Sequence, residues 1–578
     1  MKNIFLIDHS VKKCPFALTL LCSLFFSFIA QSQNLEGIGK QKPFTISGSI
    51  GAATNFYSSN EPLPSRPSFG WNIYGNLTPT INGISLPLSF AINQYSKSYT
   101  QPFTQFGLSP TYKWAKLHLG YRNIQFSPVT FDGQSFRGAG LELNPKGFRF
   151  GAFYGKLNRK INEDTTSGRF IPPQFSRIGY GVKIGVGNMT NYFDVIYFHA
   201  KDDSTSATII NKTGYRPQEN TVLGTSFRVT MAKKVIFSTD VAISGLTQDM
   251  AAPAGSDSAN TGLQKLMKPF VHANSSTIAN WAAQSTLQLV LKGYTTSLGY
   301  RRVQPDFKSL GTPYMLNDVQ LLNWMNNFSL SQGKVNINTS LSDQHNNLNK
   351  QLPNQLNTFV SNLNINALLS QYLNLNFNYS GYNIKQKDGT QKLTDSTRLN
   401  QVIHQFSVTP SYTVFDTVKS HTVSTSINYM LLNDKNPATT ASTNSNNLSA
   451  SLSYTLGLIK KGMSYTISGL YNKYKQDTNY HRSFGATFST SAQVLKDKNL
   501  SLQGSIGYLF NTSSYGNAQN NLTFSCNIGY HVKHHALNAY ANYIYTPYNP
   551  ITNIIINKVP QAVATKNLAG GVSYNYSF

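Results

Sequence analysis

The sequence predicts an all-β chain: a single large transmembrane antiparallel β-barrel of about 22–26 strands. Three observations carry this. Apolar and polar residues alternate with a period of two over stretches of about ten residues, from residue 43 to the end. Short turns and long polar connections succeed one another in strict order. Beyond the N-terminal residues no run of about 18 apolar residues could form a membrane helix. Yet aromatic residues make up 12% of the chain, with 33 Tyr and 35 Phe, and charged residues only 12%, well under the usual quarter.

Residues 1–32 read as a secretory signal. Lys2, Lys12 and Lys13 are basic, 16–29 is apolar, and Ala30 and Ser32, either side of Gln31, supply small residues two apart for cleavage after Ser32. An N-terminal membrane anchor is the alternative. Neither Cys14 nor Cys22 follows a small residue, which argues against a lipoprotein. Residues 33–42 are expected to form a short periplasmic segment and 43–578 the barrel. Past the signal only Cys526 remains, so no disulfide framework holds the chain together.

The strands follow in order. Ile84, Leu86, Leu88, Phe90 and Ile92 alternate with Ser85, Pro87, Ser89, Ala91 and Asn93. Ile178, Tyr180, Val182, Ile184 and Val186 alternate with Gly179, Gly181, Lys183 and Gly185, and Leu373, Leu375, Phe377 and Tyr379 with Asn374, Asn376 and Asn378. Short turns are expected at 80–83, 144–147, 188–191, 232–234, 292–293, 331–334, 370–372, 457–462, 495–499 and 531–535. Long connections are expected at 158–175, 202–219, 245–277, 304–321, 384–399 and 548–564. One strand at 43–56, twelve hairpins and a closing strand near 565–578 make 26 strands, which puts both termini on the periplasmic side. A β-solenoid would need a fixed repeat, and none is present. A soluble sandwich tolerates alternation but not the segregation of short turns from long loops.

The last residues, Val572, Tyr574, Tyr576 and Phe578, alternate with Ser573, Asn575 and Ser577. Tyr574, Tyr576 and Phe578 resemble the aromatic closing strand that the barrel-assembly machinery recognises in bacterial outer-membrane barrels. The stretches SFRGAGLELNPKGFRFGAFYGKLNR (135–159) and GYRRVQPDFKSLGTPYMLND (299–318), with the cleavage site and the abundance of Asn, Tyr and Lys, resemble outer-membrane β-barrel proteins of the Bacteroidota. The resemblance implies the cell outer membrane as location, and membrane lipids and the assembly machinery as partners. It implies no activity. TonB-dependent receptors carry a plug domain before the barrel, and lipopolysaccharide-inserting barrels a periplasmic domain. The first strand here starts too soon after the expected cleavage site for either.

If the apolar parity faces lipid, the other faces the lumen. It holds His118, Arg122, Arg149, Arg177, Lys183, Arg228 and Arg301, with the acids Glu142, Asp194 and Asp240. In the second half it holds Asn336, Asn338, Asn362, Asn364, Asn366, Asn374, Asn376 and Asn378. Such residues can form cross-strand ladders that stiffen the wall. They can also make an anion-attracting passage, because a low-dielectric wall lined by one sign of charge focuses its field. Arg149, Lys183 and Arg228 are expected to set that preference. The formal charge of +26 is spread over strands and loops and does not point to nucleic acid.

Two constellations have residue types that could carry chemistry. HAKDD (199–203) lacks a second carboxylate pair for water activation. HVKHH, with His531, His534 and His535, lacks a fourth metal ligand. No catalytic residue, metal or cofactor is expected. The most distinctive connection is 304–321, read together with Tyr300, Arg301 and Arg302; Pro305, Gly311 and Pro313 restrict it, and Asp306 and Lys308 charge it. Arg302, Pro305, Asp306, Lys308 and Pro313 are expected in a constriction or docking loop. The expected function is a porin-like channel for small polar or anionic solutes. A structural or secretion-associated barrel working with a partner or plug subunit is the alternative, and an outer-membrane hydrolase a distant third.

Overall fold

The computed structural model describes residues 43–578 apart from 61–65, 83, 95–105, 164–171, 210–213, 256–261, 496, 515 and 557–558, with side chains at 516–519 and 548–563 left undescribed. The expected signal and the segment 33–42 lie outside the described residues.

One antiparallel sheet runs through 28 ladder segments. Four short segments belong to two interrupted strands, so the wall has 26 strands. The first is Ile84–Ser85 with Leu88–Asn93, the second Gly107–Leu108 with Thr111–Tyr112. Pro87 and Pro110 stand at the breaks, and proline has no N–H to give the ladder. The unbroken alternation expected from Ile84 to Ile92 is corrected accordingly.

The ring closes where Phe44–Ser59 meets Val559–Ser577, from Ser49↔Ser577 to Ser59↔Asn567. Phe578 stands one residue past the strand, and its N–H donates to Gly48 O at 2.9 Å. Gly48 has φ +116°, and a Cβ there would lie 2.0 Å from Asn76 O; only glycine fits. Closure matters because an unpaired backbone group in hydrocarbon costs several kcal/mol.

The two faces of the wall differ as the alternation requires. Ile178, Ile184 and Val186 are 40%, 51% and 60% exposed on the outside, while Gly179, Gly181 and Gly185 between them are buried on the inside. Short turns at 144–147, 188–191, 232–234 and 292–293 gather at one end, which is the periplasmic end of such barrels. Connections 159–175, 204–218, 248–276 and 304–318 gather at the other. Two short turns escaped the sequence pattern. One is 113–114, where Lys113 takes φ +51°. The other is 416–418, where Asp416 Oδ1 accepts the N–H groups of Val418 and Lys419 at 2.6 and 2.7 Å.

The loop expected at 548–564 is also corrected. The last hairpin, His535–Ile556 with Val559–Ser577, continues to Ile556↔Val559 with two register breaks. Ile551, Ile554, Ile555, Ile556, Val559 and Val563 are β-branched residues that favour extended backbone.

The described part of connection 248–276 after residue 261 lies on the outside of the wall. Its short helix Gly262–Met267 buries Met267 against Gly245, and Thr221 Oγ1 and Thr247 Oγ1 donate to Phe270 O and His272 O at 2.8 and 3.1 Å.

Candidate functional site: the barrel lumen

The inner face of the first half is not left open to water. The connections 124–134 and 304–318 both turn inward and pack on it. Phe131 and Phe307 from these connections, with Phe136, Phe153 and Phe198 from the strands, form a buried cluster. The Phe131 ring lies 4.3 Å from that of Phe153 and 5.2 Å from that of Phe198.

Small residues on the wall make the packing possible. A Cβ at Gly181 would lie 2.8 Å from both Phe126 and Phe153, and one at Gly224 would lie 2.3 Å from Thr130. A Cβ at Gly311 would lie 2.6 Å from Phe131 and 2.8 Å from Thr130 O. Glycine in a strand interior marks such close approaches.

Polar groups lock the two connections together and to the wall. Asp132 N–H donates to Gly311 O at 2.9 Å, and Ser309 Oγ donates to Thr130 O at 2.6 Å. Asn220, fully buried on the inner face, accepts the Leu310 N–H at 2.9 Å through Oδ1 and donates to Lys308 O at 3.2 Å. Ser244 Oγ donates to the same Lys308 carbonyl at 2.6 Å, and Asn280 Nδ2 donates to Pro305 O at 2.6 Å. These groups of the two connections therefore have partners, as a packed interior requires.

The residues singled out for the 304–321 connection divide. Pro305 and Lys308 hold it to the wall through their carbonyls, and the side chains of Asp306, Lys308 and Pro313 are exposed. Arg302 does not belong to it. It lies on strand Tyr294–Val303, and successive strand residues point to opposite faces. Arg301 points inward; Arg302 points outward, 5.9 Å over Trp281, and donates to Gln320 Oε1 at 3.1 Å.

The inward basic residues also divide. Arg149 is bidentate to Asp194, at 2.8 and 2.9 Å, and stacks 4.2 Å over Tyr192. Arg177 is bidentate to Asp202, at 2.7 and 2.9 Å; the sequence reading missed Asp202, although it shares the parity of Asp194. Arg122 braces the interrupted strands, donating to Ser89 Oγ at 2.6 Å, Pro87 O at 3.1 Å and Gly107 O. Glu142 meets His118 at 2.7 Å and Lys116 at 3.6 Å. Among the described residues Lys183, Arg228 and Arg301 have no carboxylate within ion-pair distance, and Lys183 lies 5.6 Å over the Phe126 ring. Asp240 takes Gln284 Nε2 at 3.2 Å and no cation.

Register arranges these groups in a belt. Arg149, Gly185, Asp194, Ser226, Asp240, Gln284 and Arg301 are successive cross-strand partners. The belt runs below the packed connections, on their periplasmic side.

The second half of the lumen is different. Asn338, Asn364 and Asn378 face one another across three strands, with Asn338 Nδ2 donating to Asn364 Oδ1 at 3.5 Å and Asn364 Nδ2 to Asn378 Oδ1. Hydroxyls continue the pattern: Ser424 with Ser453 at 2.6 Å, Thr455 with Thr466 at 2.9 Å and Ser505 with Ser525 at 2.6 Å. Asn338, Asn362, Asn366 and Asn378 are exposed on this inner face, with nothing described packed over them.

His199 lies on the outer face, beneath connection 248–276. Its Nδ1 is 2.8 Å from Thr221 Oγ1 and its Nε2 3.7 Å from Glu219, which also meets His272 at 2.7 Å. This carboxylate was not found from sequence, because it joins His199 only through strand pairing. It latches connection 248–276 to the wall and is fully buried. Among the described residues no group of three metal-ligating side chains converges.

No family model matches the sequence, and no curated protein matches it. By shape it is similar to Pseudomonas aeruginosa OpdQ, at 12% identity over 59% of this chain and 93% of that one, with a TM-score of 0.33. It is also similar to Acinetobacter baumannii OccAB2, at 10% identity over 63% and 92% with a TM-score of 0.30. The P pilus usher PapC translocation pore gives 11% identity over 92% and 99%, with a TM-score of 0.26. At such scores the likeness carries no functional argument, and the barrel rests on this chain's own closed ladder. A closed sheet with an apolar outside satisfies its backbone within hydrocarbon. The chain is a single closed antiparallel β-barrel of 26 strands.

Proposed function

We propose that the barrel is a passive, non-enzymatic channel for small polar solutes, with a preference for anions. The observation that supports this is the asymmetric filling of the lumen. The inward connections pack against the first-half wall, while the amide and hydroxyl wall of the second half stays exposed. Solute passes between the packed connections and that wall. A barrel of more than about 20 strands encloses a lumen wide enough for a plug and a passage. Lys183, Arg228 and Arg301 supply the surplus positive charge, since Arg149 and Arg177 are neutralised by Asp194 and Asp202.

Planar-bilayer recording of the purified chain tests the reading. Stable conductance steps with a reversal potential on the anion side of zero in a salt gradient are expected. A silent bilayer, or a clear cation preference, would refute it. Silence together with a co-purifying subunit would favour a secretion-associated barrel instead.

A further inference from the structure

We propose that the outer wall carries two binding sites for the phosphate groups of membrane lipids, each built on a cross-strand pair of cations near the extracellular rim. The first pair is Arg137 and Lys156, direct partners on strands Ser135–Leu143 and Phe148–Asn158. The second is Lys473 and Arg482, direct partners on strands Met463–Gln476 and Asn479–Val494. All four residues stand two or three positions from the strand end that faces away from the periplasmic turns. Two distant parts of the wall thus present the same arrangement near the outer ends of their strands.

Parity puts both pairs outside. Lys156 shares its face with Tyr154, 62% exposed, and Arg482 shares its face with Phe484, 52% exposed. On the midplane side of the first pair lie Tyr154 and Tyr180, themselves partners. On the midplane side of the second lie Tyr471 and Phe484, also partners. An aromatic row below a row of cations is what a wall presents where acyl chains give way to headgroups.

Like charges directly opposite each other on a sheet face destabilise it. Among the described residues none of the four cations has a carboxylate within 4.0 Å. The acid that acts on Lys156 from farther away is Asp203, whose Oδ1 already accepts from Thr205 N–H at 3.0 Å and Thr205 Oγ1 at 2.8 Å. Arg482 rests 4.6 Å over the Tyr480 ring, and exposed Lys475 flanks it on the same face. A phosphate seated between the members of a pair would turn the repulsion into two charge-assisted hydrogen bonds, and the guanidinium fork suits a tetrahedral anion. Facing outward at headgroup depth, these cations meet lipid phosphate before any luminal solute.

The test is native mass spectrometry of the detergent-purified full chain with bisphosphorylated lipid A, fully dephosphorylated lipid A and inorganic phosphate. The natural chain should retain the phosphorylated lipid and not the dephosphorylated one. A quadruple variant (Arg137→Gln, Lys156→Gln, Lys473→Gln, Arg482→Gln) should bind it at least about tenfold more weakly, since each cation near the surface adds to the attraction for anionic lipid. Heat-modifiable gel migration of the variant checks that the barrel still closes. Equal retention of both lipids, or an unchanged affinity in the folded variant, would overturn the proposal. Full competition by millimolar inorganic phosphate would overturn it as well, by making free phosphate the ligand.

Discussion

The two halves of this barrel share one architecture and differ in what their inner faces are built to touch. Between Ala115 and Val303 the inward residues are glycines, phenylalanines and paired charges, and a core packs on them. From Val335 onward many inward residues are asparagine, serine and threonine, which bond to each other across the strands. The difference teaches that in the first half glycines such as Gly181 and Gly224 let another segment come close to the inner wall. Where small polar side chains stand opposite one another, as Asn338, Asn364 and Asn378 do, the wall satisfies itself sideways.

This contrast makes predictions of decreasing size. The largest effect is expected at the buried ion pair. Arg149→Gln strands Asp194, whose side chain is 1% exposed, and should destabilise the barrel by about 3–5 kcal/mol. The shift should appear in the denaturant midpoint of heat-modifiable migration. Because the variant leaves Asp194 without its cation, the surplus of positive charge on this wall falls by one and the reversal potential should move toward zero; an unchanged reversal potential would mean that solute does not sense this pair.

Phe131→Ala removes a fully buried ring that joins both inward connections. A loss of about 3–5 kcal/mol is expected, confined to those connections. Limited proteolysis should then cut within 124–134 or 304–318 while the barrel band is retained. Resistance equal to the natural chain would show that the two connections are held by hydrogen bonds alone.

Replacing 306–314 with a short Gly-Ser linker should widen the passage. Conductance should rise by about twofold or more, as a channel that loses part of its filling must. No change would mean that solute does not pass beside these residues.

A combined Lys183→Gln, Arg228→Gln and Arg301→Gln variant should move the reversal potential toward zero. The shift will be modest, because the fields of these cations fade over about 8–10 Å at physiological salt. The smallest effect belongs to the second half. Asn364→Ala removes the centre of the amide ladder and should cost at most about 1 kcal/mol, with conductance unchanged. A loss as large as that of Phe131→Ala would erase the distinction between the two walls.

Much of the architecture was legible in the chain. The period-two alternation, the spacing of short turns and the patterned final residues gave the strand order, the closure and the count. Their errors were local: Pro87 breaks a strand that the alternation read as continuous, and the β-branched residues between 551 and 563 extend a hairpin that polarity read as loop. The candidate site was legible only in outline. Parity placed Arg149 and Asp194 on one face but could not show that they pair, and it passed over Asp202. Arg302, read as part of a loop, belongs to a strand and points to the other face from Arg301.

The sequence by itself determined which residues face out and which face in, because side-chain direction in a strand follows from the backbone's own repeat. Only the tertiary structure decided what fills the lumen. Ser309 reaches Thr130 across 179 residues of chain, and Asn220 reaches Leu310 across 90. No local pattern encodes such contacts. The inward glycines at 179, 181 and 185 were visible in the alternation from the start, but a missing side chain does not say what occupies its space. That depends on where two distant connections end up once the ring has closed, and closure is a property of all the strands together.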